Sequence, residues 1–280
     1  MNYDFELVED LMIANIGGQR LVIDTGAPVS FANTPIDLMG QEHVVADNFM
    51  GHTVGYFADK LNTRLDGLLA ADLMNEYDVC IDYKSCTISF FEEPVETDLV
   101  GHDLQSVMGL PYLVDIECEG FTSTCYLDTG ASVSYLELPE GYGFELLGHF
   151  DDFNPVFGEF STDLYACDLS LGGRMFPAKV GQLPETASAL LGMMGVEGII
   201  GSDLFKTYRV TISARRHKLF LDPHIQPVAH DVWANHYDRV NQLSFGVLLD
   251  DMTEQTIDFV DELLEGAGSI LDAGAGIGRL

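Results

Sequence analysis

Positive charge is scarce in this 280-residue chain. Lys and Arg together number 13 against 45 Asp and Glu, which gives a formal net charge of −32. Binding to a nucleic-acid backbone requires clustered cations, and so does binding to an anionic membrane surface. We therefore expect neither nucleic acid nor a membrane among the partners of this protein.

Long hydrophobic runs and targeting signals are also lacking. No apolar stretch reaches about 18 residues, the length that spans a bilayer. The N-terminal sequence MNYDFELVED has neither the cationic start nor the apolar run of a signal peptide, so we expect a cytoplasmic protein. Hydrophobic residues nevertheless make up 47% of the chain and aromatic residues 10%. This composition is that of a folded protein with buried cores, not of an acidic disordered chain.

Metal-ligand and disulfide patterns are sparse. The eight His form no HExxH motif and the five Cys form no CxxC motif, so we predict no metal site. We expect the Cys to be reduced and mostly packed in strands. Cys80 and Cys86 flank one predicted hairpin turn, and Cys118 and Cys125 flank another. Cross-strand bridges are therefore the alternative for these two pairs.

The chain does contain an internal repeat. Residues 21–31 read LVIDTGAPVSF and residues 125–135 read CYLDTGASVSY. Each block ends a predicted hairpin, over residues 11–23 in the first copy and 112–127 in the second, with turns at Gly17-Gly18 and Glu119-Gly120.

The repeat continues downstream. GLLAADLM at 67–74 matches GIIGSDLF at 198–205, and each is followed by another predicted hairpin, at 77–94 and 208–223. The second copy is longer, and its extra residues include a predicted strand pair over 162–181. In the last hairpin, we expect Arg215-Arg216 to form a solvated turn.

Two repeated aspartates carry the chemistry that this pattern indicates. A single Asp-Thr-Gly is compatible with a turn in which Asp caps and Gly supplies a positive φ. Two copies inside a longer repeat instead predict that Asp24 and Asp128 meet near a pseudo-twofold axis. Two adjacent carboxylates cannot both ionise at low cost, so they share a proton, and one serves as base and the other as acid. This behaviour of paired carboxylates is well known.

The sequence resembles the pepsin-like and retropepsin-like aspartic peptidases over about residues 5–223. The resemblance rests on DTGA at 24–27 and 128–131 and on the apolar-apolar-Gly element at 199–201. It implies a mainly β fold of two pseudo-twofold-related, closed β-barrel-like acid-protease lobes, over residues 1–97 and 98–224.

The resemblance also implies roles for individual residues. Asp24 and Asp128 would form the catalytic dyad, and the two Thr that follow them would make hydrogen bonds between the lobes. The residues that would support the dyad are Thr25, Gly26, Thr129, Gly130, Ile199, Ile200 and Gly201. Because Ala27 and Ala131 carry no hydroxyl to stabilise a charged carboxylate, we expect a dyad that works nearer neutral pH than a digestive pepsin.

The first copy departs from the second in its surroundings. Ala70 stands where the second copy has Gly201, and Pro28 follows the first DTGA motif. Residues 153–161 are the stronger candidate for a flap over the cleft, and residues 49–57 are the weaker one.

The last twelve residues, SILDAGAGIGRL, show a different pattern. An apolar strand running into a glycine-rich turn resembles the first motif of class I S-adenosylmethionine-dependent methyltransferases, with Asp272, Gly274 and Gly276 as the candidate cofactor-binding residues. A helix is predicted over 254–266. We expect residues 225–280 to be a linker and the truncated Rossmann-like α/β start of a methyltransferase. S-adenosylmethionine would then be a cofactor only of a full-length parent, and this chain would transfer no methyl group.

The sequence thus predicts an aspartic endopeptidase that hydrolyses peptide bonds with a dyad-activated water and uses no cofactor or metal. Its partner would be an extended peptide or protein substrate, and the chain would be a monomer with an intramolecular pseudo-dimer. One alternative is a catalytically inactive, two-lobed peptide-binding module. The other is the recruitment part of a methyltransferase.

Overall fold

The computed structural model describes most of the chain. The described residues are 1–8, 10–107, 110–138, 142–154 and 158–223. They fall within one compact unit, Met1–His224. The predicted methyltransferase segment, with Asp272, Gly274 and Gly276, lies outside the described residues.

The fold is mainly β, as the sequence predicts, with a few short helices. In the first repeat, which we define as residues 1–97, the strands are β1 (Asn2–Val8), β2 (Leu11–Ile16), β3 (Gln19–Asp24), β4 (Phe31–Ala32), β5 (Ile36–Leu38), β6 (Gln41–His43), β7 (Asn48–Phe49), β8 (His52–Thr53), β9 (Gly67–Ala70), β10 (Asp78–Asp82) and β11 (Thr87–Phe91). In the second repeat, residues 98–223, they are β12 (Gly101–Asp103), β13 (Gln105–Val107), β14 (Leu110–Cys118), β15 (Phe121–Leu127), β16 (Ser134–Leu136), β17 (Glu145–Asn154), β18 (Gly158–Leu171), β19 (Arg174–Gly181), β20 (Gly198–Ile200), β21 (Tyr208–Ser213) and β22 (Lys218–Pro223).

The helices in the described part of the chain are all short. They are α1 (Val54–Lys60), α2 (Ala71–Met74), α3 (Glu185–Met193) and α4 (Ser202–Thr207), with a 3₁₀ turn at Ala214–Arg216. Among the described residues, no helix has the length and apolar character needed to traverse a bilayer.

The predicted hairpins form with the predicted turns. Strands β2 and β3 pair antiparallel around Gly17 and Gly18, whose φ angles of 58° and 82° favour glycine. Strands β14 and β15 turn at Glu119-Gly120, and the extra strand pair of the second repeat is β18–β19. All five cysteines are free, so the alternative of cross-strand bridges is wrong.

A parallel strand pair closes each repeat beside its Asp-Thr-Gly turn. Strand β3 pairs parallel with β9, placing Ile23 opposite Leu69, and β15 pairs parallel with β20, placing Leu127 opposite Ile200. All four residues of β9 are buried, as expected for an apolar run covered on both faces. This pairing fixes the end of each aspartate-bearing strand inside the core.

Two large sheets contain most strands. The ten-stranded sheet has the order β12-β22-β21-β10-β11-β1-β2-β3-β9-β4, and the eight-stranded sheet has the order β13-β14-β15-β20-β16-β19-β18-β17. In the first sheet, β10 of the first repeat pairs antiparallel with β21 of the second, from Asp78↔Ser213 to Ile81↔Val210. Backbone hydrogen bonds therefore join the two repeats directly.

A buried ion cluster reinforces this junction and corrects one prediction. Arg215 and Arg216 do not form a merely solvated turn. Asp78 is fully buried, and Arg216 Nη2 lies 2.5 Å from its Oδ2, while Arg215 Nη2 lies 3.4 Å from Oδ1. Ser213 Oγ donates to the same carboxylate at 2.6 Å. The arginines lie at this turn because the carboxylate buried in β10 requires charged partners.

The two predicted flap segments take different forms. Residues 49–57 form part of the short β7–β8 hairpin and then helix α1. Residues 153–154 end β17 and residues 158–161 begin β18, and these two long strands of the second repeat pair antiparallel. Residues 155–157 of this segment lie outside the described residues.

Candidate active site

The two Asp-Thr-Gly turns meet at the ends of equivalent strands. Asp24 is the last residue of β3, and Asp128 follows β15 directly. The Asp128 amide donates to the Ile200 carbonyl at 2.9 Å, so the apolar strand β20 holds the start of this turn. The structure thus brings both predicted aspartates, and the predicted support at 199–201, into one site.

The two threonines link the turns to each other. Thr25 N donates to Thr129 Oγ1 at 3.0 Å, and Thr129 N donates to Thr25 Oγ1 at 2.9 Å. Each hydroxyl also donates across the site, Thr25 to the Leu127 carbonyl and Thr129 to the Ile23 carbonyl. Both side chains are almost fully buried. The turns are therefore held as one unit by four reciprocal hydrogen bonds.

Each glycine of the motif faces the opposite aspartate. A Cβ placed on Gly130 would lie 2.6 Å from Asp24 Cγ, and one placed on Gly26 would overlap the Asp128 carboxylate. No residue with a side chain fits at either position without displacing a carboxylate. The close approach of backbone to carboxylate explains why the motif requires glycine here.

The environments of the two half-buried carboxylates differ. Asp24 Oδ1 accepts hydrogen bonds from Gly26 N at 2.9 Å and Ala27 N at 2.8 Å, whereas Asp128 Oδ1 accepts one from Gly130 N at 2.8 Å. Burial raises the pKa of Asp24, but hydrogen bonds from Ala27, Asp128 and Gly26 oppose that rise. Burial and then repulsion by Asp24 raise the pKa of Asp128 well above its usual range. The Gly130 and Gly26 amides oppose the rise at Asp128, but repulsion by Asp24 adds to burial there, so the shifts favour the proton on Asp128 and the charge on Asp24.

A serine–aspartate network supports the first turn. Ser30 Oγ donates to Asp72 Oδ1 at 2.6 Å and accepts from Ala70 N at 2.8 Å. In the second repeat, Ser134 Oγ accepts from Gly201 N at 3.1 Å. We did not predict roles for these serines, although both occur at the same position of the repeat.

Ala70 and Gly201 occupy equivalent but sterically different positions. Ala70 is fully buried beside the first turn, whose Ala27 carbonyl accepts a hydrogen bond from the Ala71 amide at 3.1 Å. At Gly201, a Cβ would lie 2.6 Å from the Ala131 carbonyl oxygen. The first turn therefore accommodates a methyl group where the second does not.

A cavity of about 1170 Å³ opens over the paired turns and reaches Asp24 and Gly130. One wall, from the first repeat, is apolar and includes Val22, Phe31, Val54, Phe57, Leu65 and Leu68. The opposite wall, from the second repeat, is more polar and includes Ser132, Asp151, Asp152, Phe153, Glu159 and Ser161.

Contacts between α1 and the β17–β18 hairpin bridge the two walls. Lys60 pairs with Glu159, and its Nζ also lies 5.1 Å from the centroid of the Phe153 ring. The Tyr56 and Phe153 ring centroids are 5.7 Å apart. The roof of the cavity is therefore made by both repeats.

The solved structures to which this chain is similar include two foamy viral ones, both at low sequence identity. No protein-family model and no curated protein matches the chain. The solution structure of simian foamy virus (mac) protease aligns at 19% identity and a TM-score of 0.24, covering 33% of this chain and 90% of that one. The foamy viral protease–reverse transcriptase in complex with an RNA/DNA hybrid aligns at 19% identity and a TM-score of 0.25, covering 33% of this chain but only 11% of the viral protein. The chemistry of the site is therefore argued from its own residues and not from these similarities.

Proposed function

We propose that this protein is an aspartic endopeptidase that hydrolyses peptide bonds with a water activated by Asp24 and Asp128. The observation that carries the proposal is the asymmetric pair of half-buried carboxylates. Burial raises the pKa of both carboxyl groups, backbone amides oppose the rise at both, and repulsion by Asp24 raises the pKa of Asp128 further. A pair with one proton and one charge has an acid and a base ready at the same place.

The reaction follows from that assignment. The water oxygen attacks the carbonyl carbon of the peptide bond while Asp24 accepts a proton from that water. Asp128 donates its proton to the carbonyl oxygen. The resulting tetrahedral intermediate collapses as the C–N bond breaks: Asp24 passes its proton to the nitrogen, and a hydroxyl group of the intermediate returns a proton to Asp128. The products are a carboxylic acid and an amine, the dyad regains its starting protonation, and the enzyme forms no covalent intermediate.

The arrangement of the chain supports an extended peptide as substrate. Both aspartates come from one polypeptide, so we propose a monomer in which residues 1–97 and 98–224 are two pseudo-twofold-related lobes. The cavity lies over both turns and borders β17, the last strand of the eight-stranded sheet, whose outer edge pairs with no other strand among the described residues. An extended peptide in this position can bind through strand-like backbone hydrogen bonds.

The mechanism is tested by digesting a degenerate peptide library with the purified protein in ¹⁸O-labelled water. Each new C-terminus should carry one ¹⁸O atom from the attacking water, and Asp24→Asn and Asp128→Asn should produce no new termini. Peptide binding without cleavage by the wild type would instead identify an inactive peptide-binding module. An optimum below about pH 3, under the ordinary carboxylate range, would contradict the expected activity nearer neutral pH.

A further inference from the structure

The roof of the cavity is anchored differently in the two repeats. It consists of helix α1 from the first repeat and the β17–β18 hairpin from the second, which meet at the Lys60–Glu159 ion pair. Each part rests on a buried aromatic residue at the same position of the internal repeat, Phe31 in the first and Tyr135 in the second. These two residues therefore allow a direct comparison of the two anchors.

The first anchor is entirely apolar. The ring centroid of Phe31 lies 5.3 Å from that of Phe57 in α1 and 6.2 Å from that of Phe49 in β7. Such ring contacts bury apolar surface and favour certain ring orientations, but they include no hydrogen bond to a specific atom of the neighbouring element.

The second anchor adds a directional hydrogen bond. The Tyr135 ring packs 5.7 Å from that of Phe160, and its hydroxyl donates to Asp152 Oδ2. The other oxygen of Asp152 accepts from the Phe153 amide at 2.7 Å. The hydroxyl is therefore linked to the residue on which Lys60 and Tyr56 pack from the opposite repeat.

Tyr135 is also connected to the aspartate turn beneath it. Strand β16 pairs with β20 at Tyr135↔Ile199, and the next carbonyl, that of Ile200, accepts from the Asp128 amide at 2.9 Å. A short series of hydrogen bonds and strand pairing, through buried Tyr135 and Ile200 and half-buried Asp152 and Ile199, thus runs from the hairpin to Asp128. Displacement of the hairpin relative to the dyad would require this series to break or shift.

We propose that Tyr135 is a positioning residue whose hydroxyl, through Asp152, fixes the β17–β18 hairpin over Asp24 and Asp128. The inference rests on the proposed peptidase function, because in that function the hairpin covers the peptide bound in the cavity. Tyr135 acts on the roof rather than on the reacting atoms. Its hydroxyl therefore sets the affinity for substrate and leaves the chemical step almost unchanged.

Kinetics of hydroxyl-deletion variants test the proposal. Tyr135→Phe keeps the ring but loses the hydrogen bond, so KM should rise at least fivefold while kcat changes less than twofold. Asp152→Asn should stay within twofold of the wild-type KM, because its amide can donate to the tyrosine hydroxyl while its oxygen still accepts from Phe153. Asp152→Leu should behave like Tyr135→Phe.

The matched control removes a tyrosine hydroxyl that also donates one hydrogen bond to an oxygen atom but does not line the cavity. Tyr208 donates to the Met175 carbonyl at 2.7 Å, and Tyr208→Phe should leave KM unchanged. An unchanged KM in Tyr135→Phe would overturn the proposal, and so would an equal rise in Tyr208→Phe.

A cross-linking experiment reports the position of the hairpin without any catalysis. Lys60→Cys combined with Glu159→Cys places thiols at the contact between α1 and the hairpin, and the rate of disulfide formation under a mild oxidant measures their proximity. Lys60→Cys alone controls for the native thiols. Adding Tyr135→Phe should slow cross-linking at least fivefold.

The two proposals fail in distinguishable ways. If no form cleaves peptides but Tyr135→Phe still slows the cross-link, the proposed function is wrong and the positioning role stands. If Tyr135→Phe leaves the cross-linking rate unchanged, the positioning role is overturned whatever the activity.

Discussion

Thr25 and Thr129 each accept a hydrogen bond from the other's backbone amide, at 2.9 and 3.0 Å, across a separation of 104 residues in the chain. Each also donates its hydroxyl to a carbonyl of the opposite strand. The relationship is reciprocal, and the loss of the Thr25 hydroxyl leaves two partners in the second repeat unsatisfied, the Thr129 amide and the Leu127 carbonyl.

Thr25→Val should therefore destabilise the fold by about 2–6 kcal/mol, because it leaves a buried amide and a buried carbonyl without partners at about 1–3 kcal/mol each. Urea unfolding measures this loss. Thr25→Ser keeps both hydrogen bonds and should cost less than about 1.5 kcal/mol, mainly for the lost methyl group. Equal losses in the two variants would show that the hydroxyl contacts do not stabilise the turns.

The raised pKa of Asp128 should appear in the pH dependence of stability. Its pKa is higher in the folded than in the unfolded state, so its contribution to stability is retained at low pH and decreases as pH rises through the folded value. Asp128→Asn has no proton to lose. It should be more stable than the wild type at pH 8, and the difference should shrink toward pH 4, near the unfolded carboxyl pKa of about 3.9. Urea unfolding across this range tests the sign, and a difference that grows toward acid would contradict it.

The buried ion cluster between the repeats should contribute strongly to stability. Asp78→Ala leaves Arg215 and Arg216 without the carboxylate between them, and breaking such a buried pair costs about 3–5 kcal/mol. The exposed Arg209–Asp222 pair is the matched control, and Asp222→Ala should cost less than about 1 kcal/mol. Thermal and urea unfolding compare the two, and similar losses would refute the structural role assigned to Asp78.

The equivalent positions 70 and 201 should respond unequally to a methyl group. Gly201→Ala places a Cβ 2.6 Å from the Ala131 carbonyl oxygen, so we expect a loss of about 1–3 kcal/mol from overpacking and a shift of the Asp128 turn. Peptidase activity should fall with it. Ala70→Gly removes a buried methyl group without a clash and should cost about 1–2 kcal/mol while activity is largely retained. Equal activity losses would contradict the steric difference between the turns.

Local patterns predicted most of the fold around the site. Alternating apolar residues and paired glycines located the hairpins, and the repeat at 21–31 and 125–135 placed Asp24 and Asp128 at equivalent strand ends. These features depend on neighbouring residues, so a single sequence contains them. The mainly β class follows from the same patterns.

Long-range partners could not be predicted in the same way. Arg215 and Arg216 read as a solvated turn because their partner, Asp78, lies more than 130 residues away along the chain. The hydrogen bond between Tyr135 and Asp152 depends on the register of a long hairpin, which the sequence does not specify. Residues 49–57 run from the β7–β8 hairpin into helix α1, and the contact of Phe57 with Phe31 joins residues 26 positions apart, which the local pattern does not specify.

The most direct test of the proposed dyad is a double-mutant cycle on kcat/KM for a peptide that the wild type cleaves. Two carboxylates that share one proton act as a unit, so Asp24→Asn and Asp128→Asn should each reduce kcat/KM by at least about a thousandfold, and the double variant should be no slower than either. Circular dichroism confirms that the variants are folded. Cleavage that persists at the wild-type rate in either single variant would contradict the account.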